Sequence, residues 1–308
     1  MRMLSRRNIA FGLLLVIPAL FASNNVAARM ADGVVGPAAL AFWRWFLASV
    51  LILPIAIEGL RRKKTLLRRE WPHILVLALI GMTLVSLVTF VGARRTSASN
   101  IGLIYAATPA IILLLDRLLT GVALTARQLV GLAVCLFGIG FIVLRGQLSA
   151  LLELRFSTGD LLICAGAIAW ALYSVLLKYW PSGLNVVERA SVIAMAGAMF
   201  CFPLALLEAD GFPASLPSPK AIGIVLTIGV LAGGLLIVLH AFVTDVLGPR
   251  VALVLLYLTP LYNILLAWLV LDEALELYQA VGGTLVLAGI AFGMRRSAPG
   301  PARRGSAR

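Results

Sequence analysis

The sequence predicts an all-α membrane protein of ten transmembrane helices, arranged as two inverted five-helix repeats with both termini cytoplasmic. Three observations predict it. Hydrophobic residues make up 61% of the chain and the mean hydropathy is +1.02, which leaves too little polar surface to cover a water-soluble globule. Apolar runs of about 20 residues, the length a helix needs to cross a core of roughly 30 Å, recur throughout and favour helices over the ten-residue alternation of a β-barrel. The stretch 108–141 is also written twice. Shifted by 151 positions, 14 of its 34 residues recur, among them Thr108, Pro109, Ala123, Leu124, Gln128, Gly131 and Gly138.

A weaker echo at a shift of 149 pairs residues 21–29 with 170–178 and Pro54 with Pro203. The repeats are therefore placed at 1–150 and 151–298, followed by a disordered cytoplasmic tail at 299–308, rich in Arg, Pro, Gly and Ser. Breaking the hydropathy at charges and Pro/Gly clusters gives spans near 8–29, 38–59, 72–93, 99–119 and 126–145, then 158–179, 188–208, 221–244, 250–271 and 277–295. Five crossings per copy oblige the second copy to enter from the opposite side, which is what inverts the repeat. Basic residues agree with this topology. With the N-terminus inside, 19 Lys and Arg fall on cytoplasmic segments and six outside, with Arg44 left within the membrane. The net charge of +13 is thus mostly an orientation signal, and it does not call for nucleic acid as a partner.

The first span, behind Arg2, Arg6 and Arg7, imitates a secretory signal peptide, but the repeat needs it as a helix. Trp43, Trp45, Trp71, Trp180 and Tyr278 stand near span ends and are expected to anchor at the headgroup level. Gly131, Gly138, Gly282 and Gly289 are expected to let helix backbones approach closely. The cysteines Cys135, Cys164 and Cys201 lie in apolar runs and imply no disulfide framework.

Three classes compete for such a chain: a transporter, a membrane-embedded enzyme, and a non-transporting scaffold or receptor. The sequence holds no Walker loop, H-E-x-x-H or G-x-S-x-G motif, and His73 and His240 have no companions at ligand spacing, so neither an enzyme, a metal nor a cofactor is expected. Polar residues inside spans are few, and each is a candidate for function. Asn24, Arg44, Ser86, Tyr105, Trp170, Tyr173, His240, Tyr257 and Asn263 are read as substrate-binding, lining a nearly neutral, aromatic-rich cavity for a small amphipathic solute. Ser and Thr in spans more often bond a carbonyl one turn back. Pro109 and Pro260 occupy matching positions and are read as hinges, because proline leaves a carbonyl free and marks the broken helices of midplane sites.

The five-plus-five span pattern, Trp-Arg-Trp-Phe at 43–46, Tyr-x-x-x-Pro at 105–109 echoed by Tyr-x-x-Pro at 257–260, and a glycine-rich last helix in each half resemble the EamA-type drug/metabolite transporters. More loosely, the chain is similar to the YddG-type exporters of aromatic and other amino acids. That resemblance implies export of small metabolites, amino acids foremost, across the cell inner membrane by alternating access; carriage of a different metabolite or drug stays open, as does the choice between monomer and homodimer. One departure stands out: the acidic pair after span 9, Asp272-Glu273, is Gly121-Val122 in the first copy.

Overall fold

A computed structural model describes residues 2–121, 124–147, 157–208, 218–248 and 251–294. These form helices α1 (Arg2–Met30), α2 (Pro37–Arg62), α3 (Lys64–Ala93), α4 (Ala98–Thr120), α5 (Ala126–Val143), α6 (Thr158–Tyr179), α7 (Val186–Leu207), α8 (Pro219–Leu247), α9 (Val251–Leu271) and α10 (Leu277–Met294). Among the described residues, 8 helices, α1 to α8, are long and apolar enough to cross a membrane; the apolar stretches Leu258–Leu271 and Leu277–Gly293 are shorter. The outward faces carry large apolar side chains such as Leu15, Ile55, Met199 and Leu269, all more than half exposed. Such a surface suits lipid tails and would aggregate in water. This is a multi-pass helical membrane protein. The tail at 299–308 lies outside the described residues.

Helix pairing carries an internal symmetry. α1 packs on α8 and α9, and α6 packs on α3 and α4; α2 meets α8 as α7 meets α3. The pairs α2–α7, α4–α9 and α5–α10 each join corresponding members of the two copies. Local chemistry repeats as well. Gln128 Oε1 accepts from the Thr125 amide at 2.9 Å and Gln279 Oε1 from the Glu276 amide at 3.0 Å, so both copies start their last helix with the same reverse cap.

The glycines expected to pack do so at α5–α10. A methyl group on Gly131 would stand 2.6 Å from the Gly289 carbonyl, and one on Gly289 2.6 Å from that of Gly131; Gly138 and Gly282 repeat the arrangement at 2.8 and 2.9 Å. The helices therefore touch backbone to backbone, where dispersion replaces the hydrophobic drive that lipid cannot supply.

Two features were not legible in hydropathy. α3 and α8 each contain a π-helical segment, Ala78–Leu84 and Thr227–Leu235, and the two begin 149 residues apart, at the repeat offset. α4 breaks at Ala107 and restarts at Thr108 with Pro109 in its first turn, where a missing N–H costs nothing.

Polar groups gather where helix ends meet. Glu208, at the end of α7, accepts from the Ala38 and Ala39 amides at 2.8 and 2.9 Å and caps α2; Glu273, beyond α9, accepts from the Ala98 amide at 3.0 Å and caps α4. Negative charge at a helix N-terminus is stabilising. Glu273 also stands 3.9 Å from Arg29, and Arg94 reaches Asp32 at 3.7 Å. Nearby, fully buried Asp160 accepts from Thr96 and from Asn100, which accepts in turn from Gln279 at 2.7 Å. The opposite helix ends are tied by Lys63–Glu188 at 2.7 Å and Lys178–Asp116 at 2.9 Å.

Candidate functional site

A cavity of about 300 Å³ opens where α1, α2, α3, α4, α6, α8 and α9 converge. That is the lower end of the range for small-molecule sites. α1 contributes Phe21, Asn24 and Asn25, α2 Arg44 and Trp45, and α3 Gly81, Val85 and Thr89. α4 contributes Gly102, Tyr105, Thr108, Pro109 and Ile112, and α6, α8 and α9 add Trp170, His240, Leu255, Thr259, Pro260 and Asn263.

Each wall has a reason. Gly102 lets α4 and α9 meet, since a methyl group there would fall 2.6 Å from Asn263 Cβ. Gly166 does the same for α6 and α4: its added methyl would lie 2.7 Å from the Tyr105 hydroxyl, which shares a 2.6 Å hydrogen bond with Thr89. The hydroxyl of Thr108 donates to the Tyr105 carbonyl at 2.6 Å, which supplies a donor to the carbonyl that Pro109 cannot reach, and that of Thr259 donates to the Leu255 carbonyl at 2.7 Å.

The polar core of the site is a chain of three asparagine amides. Asn24 Nδ2 donates to Asn25 Oδ1 at 3.2 Å, Asn25 Nδ2 to Asn263 Oδ1 at 2.8 Å, and Asn263 Nδ2 to the Thr259 carbonyl at 3.0 Å. All three are buried. Arg44, on α2, lines the same cavity. Its guanidinium lies 4.5 Å from the Trp45 ring centroid and 6.0 Å from that of Phe90, its Nε has no hydrogen-bond partner, and it forms no ion pair among the described residues. Neither snorkelling nor carboxylate pairing describes it: it faces the cavity. No carboxylate lines that cavity among the described residues.

Of the residues singled out in sequence, Asn24, Arg44, Tyr105, Trp170, His240 and Asn263 line this space, with Pro109 and Pro260 beside them. His240 also meets Phe21 edge-on, ring centroids 6.5 Å apart. Ser86 and Tyr173 stand behind the wall instead. Ser86 is fully buried and accepts from the Trp45 indole at 2.9 Å, while Tyr173 fills the space beside Gly81 and packs on Trp170, centroids 5.1 Å apart. The side chain of Tyr257 lies outside the described residues. Trp45 corrects the anchoring expectation: it is 3% exposed, and its indole donates to the Met82 carbonyl at 2.9 Å as well as to Ser86. Met82 lies in the π-helical segment of α3, whose widened turn leaves a carbonyl in need of that donor. Phe21, Asn25, Gly81, Gly102 and Ile112 complete the lining; of these, only Asn25 announced itself in sequence, as a polar residue within a span.

The fold and the cavity define a polytopic helical membrane protein with a small internal cavity among its helices. The chain belongs to the EamA-like transporter family, which matches it twice, over residues 8–144 and 157–294. It is 29% identical over 261 residues to an uncharacterized transporter of Archaeoglobus fulgidus, spanning 82% of this chain and 86% of that one. It is 27% identical over 277 residues to the uncharacterized transporter YyaM of Bacillus subtilis (85% and 86% of the two chains). To a probable terminal-alkyne amino-acid exporter of Streptantibioticus cattleyicolor it is 26% identical over 291 residues, covering 92% and 95%. A crystal structure at 21% identity superposes with a TM-score of 0.61 over 92% of this chain and 95% of the other, a likeness of fold alone. The protein is a small-molecule membrane transporter, not an enzyme.

Proposed function

We propose that the chain exports small amphipathic metabolites, aromatic or neutral amino acids foremost, across the cell inner membrane by alternating access. On this reading ten helices cross the bilayer as two repeats, 1–150 and 151–298, of opposite orientation, with both termini in the cytoplasm. The observation that carries the substrate class is the cavity: an arginine whose buried Nε has no hydrogen-bond partner and three amides share it with Phe21, Tyr105, Trp170 and aliphatic side chains, with no carboxylate among the described residues to hold a cation. One relative bears the name of a probable terminal-alkyne amino-acid exporter, and the chain more loosely resembles exporters of aromatic and other amino acids, which supports the direction. The break at Ala107 and Pro260 both border the chamber, where a moving helix would bend.

The test is reconstitution in liposomes loaded with tryptophan, phenylalanine or threonine. Efflux is expected without a pH gradient and is expected to survive His240→Gln, because among the described residues no carboxylate lines the cavity with His240 to form a proton relay. Absence of efflux for all three solutes overturns the substrate class. Uphill accumulation driven by a proton gradient and abolished in His240→Gln overturns the facilitated mode.

A further inference from the structure

The asparagine chain has a direction. A backbone carbonyl only accepts, so Asn263 must present Nδ2 to Thr259 and Oδ1 to Asn25. Asn25 must then donate through Nδ2 and turn its oxygen to Asn24, which donates to it. The orientation of every amide is fixed by the one carbonyl at the end of the line. What is left over is Asn24 Oδ1: buried, without a partner, on a residue 9% exposed that lines the cavity. An unsatisfied buried acceptor calls for a donor.

Arg44 is the complementary orphan. Its Nε is buried and unpaired, and its guanidinium carbon stands over the Trp45 and Phe90 rings. The two orphans share one chamber, linked through neighbours: Thr89, next to Phe90, bonds Tyr105, and Gly102, one turn from Tyr105, packs on Asn263.

The repeat sharpens the picture. At the repeat offsets, Asn24 corresponds to Tyr173, Arg44 to Ile193 and Asn263 to Ile112. Each polar member of the site thus has an aromatic or aliphatic counterpart in the other copy. The amides and the guanidinium come to the cavity from α1, α2 and α9, while Ile112 on α4 and Trp170 on α6 offer it apolar surface.

Resting on the amino-acid reading above, we infer that Arg44 receives the carboxylate of a zwitterionic α-amino acid, Asn24 Oδ1 accepts from its ammonium group, and the side chain lies toward Trp170 and Ile112. A guanidinium fork suits a carboxylate. A neutral amide oxygen can accept from the ammonium without placing a second anion in the chamber beside the solute's carboxylate. Arg44 and Asn24 are then the residues that select a zwitterion over a simple acid or amine.

The experiment is calorimetric titration of the full chain in detergent with phenylalanine, 3-phenylpropionate, which lacks the amine, and phenethylamine, which lacks the carboxylate. Wild type is expected to bind phenylalanine best, the acid about tenfold more weakly for want of one charge-assisted hydrogen bond, and the amine not measurably. Arg44→Gln is expected to lose both phenylalanine and the acid. Asn24→Leu is expected to weaken phenylalanine to the level of the acid while leaving the acid unchanged; unchanged acid binding shows that the variant is folded. If Asn24→Leu weakens both ligands equally, or Arg44→Gln binds both as wild type does, the clamp is overturned while the amino-acid reading stands. If wild type binds none of the three, the amino-acid reading fails and the clamp fails with it.

Discussion

Asn25 Nδ2 donates to Asn263 Oδ1 at 2.8 Å, joining α1 to α9 across 238 residues of sequence, inside the cavity that both helices line. Both amides are buried, Asn263 fully. Removing one partner strands the other, at a cost of about 1–3 kcal/mol. Asn25→Leu, which strands both Asn24 Nδ2 and Asn263 Oδ1, is expected to lower the thermal midpoint in detergent more than the double variant Asn25→Leu/Asn263→Leu, which strands Asn24 Nδ2 alone. A double variant less stable than Asn25→Leu would mean that Asn25 and Asn263 do not act as a pair.

The α5–α10 seam makes a sharper prediction. Gly131→Ala puts a methyl group 2.6 Å from the Gly289 carbonyl, and two backbones must part to admit it, costing about 1–3 kcal/mol. Gly140, on the same helix, meets nothing within 4 Å, and Gly140→Ala is expected to be neutral or to stabilise by up to about 1 kcal/mol through helix propensity. Thermal unfolding of the two variants side by side is the check.

Glu273 sits in the link between α9 and α10, and burial raises its pKa above the ordinary glutamate value, against the pull of the Ala98 and Ser99 amides and Arg29. A carboxyl whose folded pKa is raised contributes stability that is whole below its unfolded pKa and is lost as pH climbs through the raised one. The stability of wild type relative to Glu273→Gln is therefore expected to fall as pH rises from acid toward neutral. A difference that grows instead would assign the larger effect to the Arg29 pair, which at 3.9 Å and partial exposure is worth little.

Pro260 interrupts the hydrogen bonding inside α9, while Pro109 opens the second part of α4. Supplying the missing N–H with alanine is expected to slow efflux several-fold in Pro260→Ala while leaving phenylalanine affinity unchanged. The effect of Pro109→Ala is expected to be smaller, because the N–H it gains stands in a first turn. Equal and unchanged rates would reduce both prolines to packing.

How much of this was written in the chain follows from what each signal measures. The helices and their duplication were legible from hydropathy and the repeat because apolar length and duplicated punctuation do not depend on rotamers. The glycines at 131, 138, 282 and 289 were legible because only close approach demands them in matching places. The π-helical segments and the Ala107 break were not, since an apolar π turn and an apolar α turn have the same composition. Ser86, Tyr173 and Trp45 mark the same limit: a polar or aromatic residue in a span announces a partner, not whether that partner is solute, backbone or lipid. Asp160 and Gln279 sit at helix starts, where a sequence reads capping; that they join across the bundle through Asn100 is a fact of tertiary structure.

Glu273 has no twin, since the first copy places Val122 at its position. Two perfectly matched copies exchanging roles would give a carrier whose two open states are degenerate, equally deep and equally visited. In a carrier that alternates as proposed above, the carboxylate that fastens the end of α9 to the start of α4 would favour one state over the other, because its counterpart in the sequence of the first copy is a valine. The sites where the copies have drifted apart, rather than the doubling itself, would then set the side on which the molecule rests.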